Sequence, residues 1–451
     1  MNTARTTNAP EPGQTTLTVW PVVAYGALGL PLAFAALPIY VHLPRLYSEF
    51  VGLPLALLGT VLLLARLADA LVDPWLGTLS DRPGWRRPII CLSIGPLMVG
   101  LAALFNPGPD AGLIWLIVSL TLTYLAFSLL SVAYAAWGAE LGRDLGERTR
   151  LTSSREGWGL VGVISAAVLP ALLAKEFDVG LARWSWSFPA LMVITALATY
   201  WAGNQLARRQ PLADLDRPAP RPTDSASQSL RLAIADRPLR HLLLIFLANG
   251  LASALPATLV MFYVAHVLAA EHLAGAFLAL YFVSALIGLP LWIARARQVG
   301  PLVAWRQGMW IAAAGFIVAP FLGAGDLWPF ALLCIVTGLA LGSDLALPAA
   351  VLAQLTDARR PHAPTAGSAF GLWNLVAKLS LALAAGIALP LLELSGFVAG
   401  QSNGALALLY GGLPLFGKLL AIALLSHWSG NLSHALSLAQ SPPTLPTLSA
   451  R

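Results

Sequence analysis

Residues 55–84 read LALLGTVLLLARLADALVDPWLGTLSDRPG. An apolar run long enough to cross a bilayer carries Arg66, Asp69 and Asp73, then ends in a Gly- and Arg-containing turn. A bilayer core about 30 Å thick takes roughly 20 apolar residues per helix, and the first part of this stretch meets that length. Alternation of apolar and polar residues, as a barrel strand would show, is absent. The stretch is read as a membrane helix with charges on it.

The rest of the chain has the same character. Of 451 residues 57% are hydrophobic and 11% charged, against about 45–50% and 25% in soluble domains. That charge density cannot wet a globular surface of this size, which excludes a soluble enzyme, a DNA-binding protein and a disordered regulator. Twelve spans are expected, near 18–41, 52–76, 88–106, 112–137, 157–174, 186–206, 241–266, 273–293, 305–324, 328–353, 367–392 and 406–427. Cys91 and Cys334 both lie in apolar runs, so no disulfide framework is expected.

Most of the 27 Lys and Arg fall in the termini and the even-numbered loops, which puts both termini in the cytoplasm. The basic balance is therefore a topology signal, and no nucleic-acid partner is expected. Residues 1–206 form an N-terminal six-helix half, with 1–16 as a cytoplasmic tail. Residues 207–239, rich in Pro and Arg, form a cytoplasmic linker. Residues 240–430 form the second half, and 431–451 are expected to be a loose tail. The halves overlay as a weak repeat, Pro74 on Pro290 and Gly84 on Gly300, with Leu289 in the place of Asp73. Two six-helix repeats around a central cavity is the plan of major facilitator transporters.

Five ionisable side chains are picked out within the spans: Arg66, Asp69, Asp73, Asp344 and Lys378. Each costs about 2.5–3.5 kcal/mol at mid-membrane, so each needs a reason. Arg66, Asp69 and Asp73 share one helix face at i, i+3 and i+7. Two carboxylates one turn apart cannot both stay ionised without a cation or a shared proton. The bland reading is a structural Arg66–Asp69 bridge with Asp73 opening the loop. Lys378 has no acid nearby in its own helix and is expected to reach the acids of span two when the ion leaves. Asp344 reads equally as a cavity group or a bridge between helices. The segment Gly77, Asp81, Arg82, Gly84, Arg86 and Arg87 forms the turn after span two and is expected to gate conformation.

These residues resemble the glycoside–pentoside–hexuronide:cation symporter family of the major facilitator superfamily, the melibiose-permease-like group. The resemblance is densest at 65–74 (ARLADALVDP), and continues through Tyr25-Gly26, 134–141, 147–151, Arg155, Leu255-Pro256, 262–264, Asp357, Gly371 and Lys378. It implies an all-α fold of twelve transmembrane helices and a symporter of the bacterial inner membrane. Asp69 and Asp73 would hold the coupling cation (Na⁺, Li⁺ or H⁺; a metal site only if sodium-coupled), with Arg66 and Lys378 beside them. No other cofactor is implied. Sugar-transporting members carry aspartates in spans one and four, where this chain has Ala33 and Ala133. The remaining cavity candidates are Tyr25, Trp137, Asn249, Tyr263, Asp344, Trp373 and Asn374.

The expected function is cation-coupled symport of a small organic solute, such as a sugar or glycoside, by a monomer acting through alternating access. Proton-driven efflux or transport of a lysolipid-like amphipath is the second expectation. A membrane sensor that moves no solute is a third. No metal-ligand spacing, nucleophile elbow or Walker loop suggests an enzyme.

Overall fold

The computed structural model describes residues 19–80, 85–142, 145–173, 176–208, 226–356, 366–398 and 404–440, and every regular element among them is helical. The N-terminal half comprises α1 (Val19–Gly26), α2 (Gly29–Val41), α3 (Leu55–Ser80), α4 (Arg86–Phe105), α5 (Leu113–Leu141), α6 (Leu145–Leu173) and α7 (Phe177–Ala207). A short helix, α8 (Ala226–Ala235), precedes the second half. That half comprises α9 (Arg237–His266), α10 (Ala274–Val299), α11 (Pro301–Val318), α12 (Leu327–Leu355), α13 (Ala366–Leu394) and α14 (Gly404–Gln440).

Eleven stretches of the described residues are long and apolar enough to cross a membrane. The expected fifth span falls in α6, whose first turns carry Glu147, Arg148, Arg150, Arg155 and Glu156. Only the part of α6 from about Trp158 onward is apolar, and it supplies the remaining crossing. Two segments outside the expected spans carry helix. The 207–239 segment contains α8 and, after Asp236, the first turn of α9. The stretch from 431 is helical as far as Gln440, because α14 continues beyond its apolar run.

The first span is broken into α1 and α2. Leu28 N–H, which has no helical partner at the break, donates to Thr199 Oγ1 at 3.2 Å, and the Thr199 hydroxyl donates to the Tyr25 carbonyl at 3.1 Å. Gly26 and Gly29 flank the break with Ser154 and Arg155 of α6 pressed against them, leaving no room for a Cβ. The two halves meet mainly through α3 against α13 and α6 against α10. Small residues permit the first contact. A Cβ on Gly59 would lie 2.8 Å from the Ala385 carbonyl oxygen, and one on Gly386 2.9 Å from Leu63 Cδ2.

One end of the bundle is basic, carrying Arg86, Arg87, Arg295, Arg297 and Arg306. At the opposite end the halves are tied together. The turn Leu43–Arg45 and the π-turn Leu46–Phe50 follow α2. Arg45 bonds Glu49 within that segment and Glu271 across the halves, both at 2.9 Å. Glu49 also meets His266 of α9 at 2.7 Å. The Glu393 carboxylate accepts the Ala56 N–H at 2.6 Å, capping α3 from the other half. Burial raises the Glu49 carboxyl, but the hydrogen bond to His266 and the Arg45 charge outweigh it and hold it below its ordinary value. Burial, with the Arg45 charge, holds the His42 imidazole down near 3.

The sign of the pH dependence follows. Between about 6.5 and 3 the unfolded chain protonates His42 and the folded chain does not, so stability falls as pH falls, by about 1.4 kcal/mol per unit. The Glu49 ion pairs are intact above the ordinary carboxyl value and fail only as pH drops through the lowered folded one. Thermal unfolding from pH 7 to 5 should show a declining limb that His42→Leu flattens and Glu49→Gln leaves in place. A limb of unchanged slope in His42→Leu assigns the proton elsewhere.

Candidate functional site

The span-two charges are set by helix geometry. Arg66 and Asp69 sit three residues apart on the face of α3 that turns inward, and both are buried. The Asp69 carboxylate accepts at both oxygens. Oδ2 takes Lys378 Nζ at 2.9 Å and Arg66 Nη1 at 3.3 Å, and Oδ1 takes Ser128 Oγ at 2.5 Å. Lys378 Nζ reaches Ser128 Oγ as well, at 3.3 Å. Ser128 belongs to α5, Asp69 to α3 and Lys378 to α13. The carboxylate is therefore supplied by one half and the ammonium by the other.

Arg66 is held by aromatic faces. Its guanidinium carbon lies 4.5 Å from the Tyr40 ring centroid and 4.4 Å from that of Tyr124. Cation–π contact of this kind partly replaces the water that a buried guanidinium has lost. A small cavity of about 20 Å³ adjoins the site, bounded by Ile39, Tyr40, Leu62, Arg66 and Tyr124 of one half and Ala254, Thr258, Leu381 and Ala385 of the other. A larger cavity, about 340 Å³, lies at the tied end between α6, α7, α9 and α10.

The backbone of Asp73 is in α3, one turn beyond Asp69; its side chain lies outside the described residues. Gly77 is in the last turns of α3, while Asp81, Arg82 and Gly84 lie outside the described residues. Arg86 donates to Glu140 Oε2 at 2.6 Å and to the Ala136 carbonyl at 3.3 Å. Arg87 donates to Asn204 Oδ1 at 3.0 Å and sits over the Trp137 ring. These contacts tie α4 to α5 and α7 within one half. Among the described residues no group of three or more His, Cys, Asp or Glu is arranged to hold a metal. Asp69 and Ser128 are the oxygen donors gathered at the span-two position.

Asp344 is not brought to Asp69. Its Oδ2 accepts Lys418 Nζ at 2.7 Å and Ser253 Oγ at 3.4 Å, and its Oδ1 accepts Trp305 Nε1 at 2.9 Å. Lys418 also donates to Asn249 Oδ1 at 2.7 Å and to Ser253 Oγ at 3.0 Å. Asp344 and Asn249 thus join a polar knot spanning α9, α11, α12 and α14. Lys418 is a further ionisable group deep within a span, missed in the sequence reading. Its position well inside the 406–427 run was the available signal.

The aromatic candidates lie mostly in packing. Tyr25 and Tyr134 each donate to the other's carbonyl, at 2.7 and 2.6 Å, locking α1 to α5. Trp137 fills the space beside Gly203. Tyr263 donates to the Ala319 carbonyl at 2.7 Å and stacks on Tyr410. Trp373 stacks on Phe246, and Asn374 is exposed.

Residues 22–429 match the family model described as MFS/sugar transport protein. The uncharacterized symporter YnaJ of Bacillus subtilis is 31% identical over 164 residues, covering 34% of this chain and 35% of that one. The inner membrane symporter YicJ of Escherichia coli is 26% identical over 270 residues, 58% of this chain and 55% of that one. The aligned stretches thus span about a third and about half of those relatives. In fold, the crystal structure of a point mutant of the nucleoside transporter NupG superposes with TM-score 0.66 at 15% identity, covering 90% of this chain and 98% of that one.

A buried pair that loses one member leaves a lone charge and costs about 3–5 kcal/mol, whereas replacing both with apolar residues is often near neutral. Asp344→Leu or Lys418→Met alone should sharply lower the unfolding temperature, and the double replacement should recover most of the loss. A double mutant that loses the sum of the two single losses would separate the two residues energetically.

Proposed function

We propose, for a chain that belongs to the MFS/sugar transport protein family, that it is a cation-coupled secondary transporter of a small organic solute, switched by the ion pair between Asp69 and Lys378. The observation that carries this reading is that one carboxylate is bonded at 2.9 Å to an ammonium from the other half. A coupling cation and Lys378 Nζ seek the same oxygens. With no ion present, the lysine neutralises the carboxylate and ties α13 to α3. A cation at Asp69, with Asp73 one turn on, would displace the ammonium and loosen that tie. Rocking of the halves would then expose the bound solute to each side in turn.

The relatives named symporters support movement of cation and solute in the same direction. With the basic end placed in the cytoplasm by the positive-inside rule, both termini are cytoplasmic and the tied end faces outward. The described conformation is then closed to the outside, in a monomer of the bacterial inner membrane. Inward movement of one charge gains about 2.3 kcal/mol per 100 mV of potential. A proton on Asp69 would release Lys378 as a metal ion would, so the bonding pattern serves either coupling ion. Proton-driven efflux is the second reading for the same reason.

Thermal unfolding of the purified protein in Na⁺, Li⁺ or K⁺ across pH 5.5–8.5 tests the reading. Saturable stabilisation by Na⁺ or Li⁺, abolished in Asp69→Asn and in Asp73→Asn, is expected for sodium coupling. Dependence on pH alone, removed by the same variants, indicates a proton. If the substitutions lower the curve but neither the ions nor pH shift it, the span-two charges are a structural bridge and the coupling reading fails.

A further inference from the structure

We infer that Arg66 is an anion-recognition group at the junction of the halves, placed to bind a monovalent anionic head that enters with the coupling cation. The head would be the carboxylate of the carried solute or a free chloride. The guanidinium has a restricted set of partners. Tyr40 and Tyr124 cover it at 4.5 and 4.4 Å, so hydrogen bonds can form only along its edges. Nη1 is taken by Asp69 at 3.3 Å. Nε is buried and has no hydrogen-bond partner. Arg66 is 95% buried, and an unsatisfied N–H on a buried cation is costly enough that native structures rarely keep one without reason.

The same residue lines the small cavity of about 20 Å³. That is room for roughly one water, and hence for one head-group oxygen or one halide. Its walls come from α2, α3 and α5 on one side and from α9 and α13 on the other, so the space belongs to the junction and widens when the halves part. Charge arithmetic gives the sign of the guest. Leaving aside Glu393 of α13, which caps α3 at the rim, the charges of α3 and α13 at the depth of the ion site are Arg66 and Lys378 against Asp69 and Asp73. These cancel, and a bound cation leaves one positive charge in excess where water is scarce. An anion at Arg66 restores neutrality. This inference rests on the coupling reading above, which supplies the cation.

The test is thermal unfolding with Na⁺ held constant by sodium HEPES, titrating gluconate, its uncharged counterpart sorbitol, and chloride. Saturable stabilisation by gluconate but not sorbitol supports a solute carboxylate. Stabilisation by chloride supports a free halide in the same place. Arg66→Lys keeps a positive charge beside Asp69 but lacks the Nε–H, and should weaken the apparent anion affinity about tenfold or more. Thr258→Leu fills the cavity from the other half with Arg66 intact, and should also remove the response. If neither anion stabilises the protein, or both variants respond as the parent does, a water occupies the space and the inference is overturned. Exchanging Na⁺ for N-methyl-D-glucamine at constant chloride reads the cation separately. Loss of that response alone sinks the coupling reading while the anion result stands.

Discussion

A charge that cannot be hydrated must be neutralised by its neighbours, and this rule organises the molecule around Asp69. In aqueous surroundings a carboxylate, an ammonium and a guanidinium would need nothing from one another. Between apolar helices each is stable only beside the others. Because Lys378 comes from the second half, the junction is neutral only while the halves meet there. Gly59 and Gly386 bring α3 and α13 close enough for a lysine side chain to span the gap. Ser128 donates to the other carboxylate oxygen, so that both oxygens of Asp69 are hydrogen-bonded.

The chain contains a second buried ion pair of the same chemistry with a different placement. Asp344 and Lys418 are bonded to Trp305, Ser253 and Asn249, all within the C-terminal half. Four helices converge there, and nothing in the knot crosses to the other half. The distinction gives the two centres separate duties. A pair inside one half fixes the register of its helices and keeps that half rigid. A pair across the junction forms only while the halves are together.

Much of this architecture was legible in the sequence because bilayer thickness dictates helix length and loop charge follows topology. The grouping of Arg66 and Asp69 on one face follows from residue spacing alone. That Lys378, more than 300 residues away, should reach these acids followed from a lone lysine in an apolar run, but Ser128's part in the contact needed the tertiary fold. Lys418 escaped notice because an apolar run long enough to span a bilayer masks one lysine, and its partners lie on two other helices. Aromatic residues were ambiguous for the opposite reason. Tyr25 and Tyr263 look the same in sequence whether they face a cavity or bond a neighbouring carbonyl, and here both bond carbonyls. The ties at Arg45, Glu49, His266 and Glu271 fell at or just beyond the ends of the spans, where charged residues excite no suspicion.

The Glu393 carboxylate gives the tied end a further meaning. The helix carrying Asp69 starts with a free N–H at Ala56, and the group satisfying it is borrowed from α13. That is the helix that also delivers Lys378. The two segments are thus riveted twice, once at the rim and once at depth, by acid–base contacts of opposite polarity: acid from α13 above, base from α13 below. A tilt of α13 that lifts Lys378 from Asp69 pivots about the upper rivet as long as Glu393 holds. Only its release lets the two helices part along their whole length. Separation along the whole length therefore requires both contacts to break, one at the rim and one at depth.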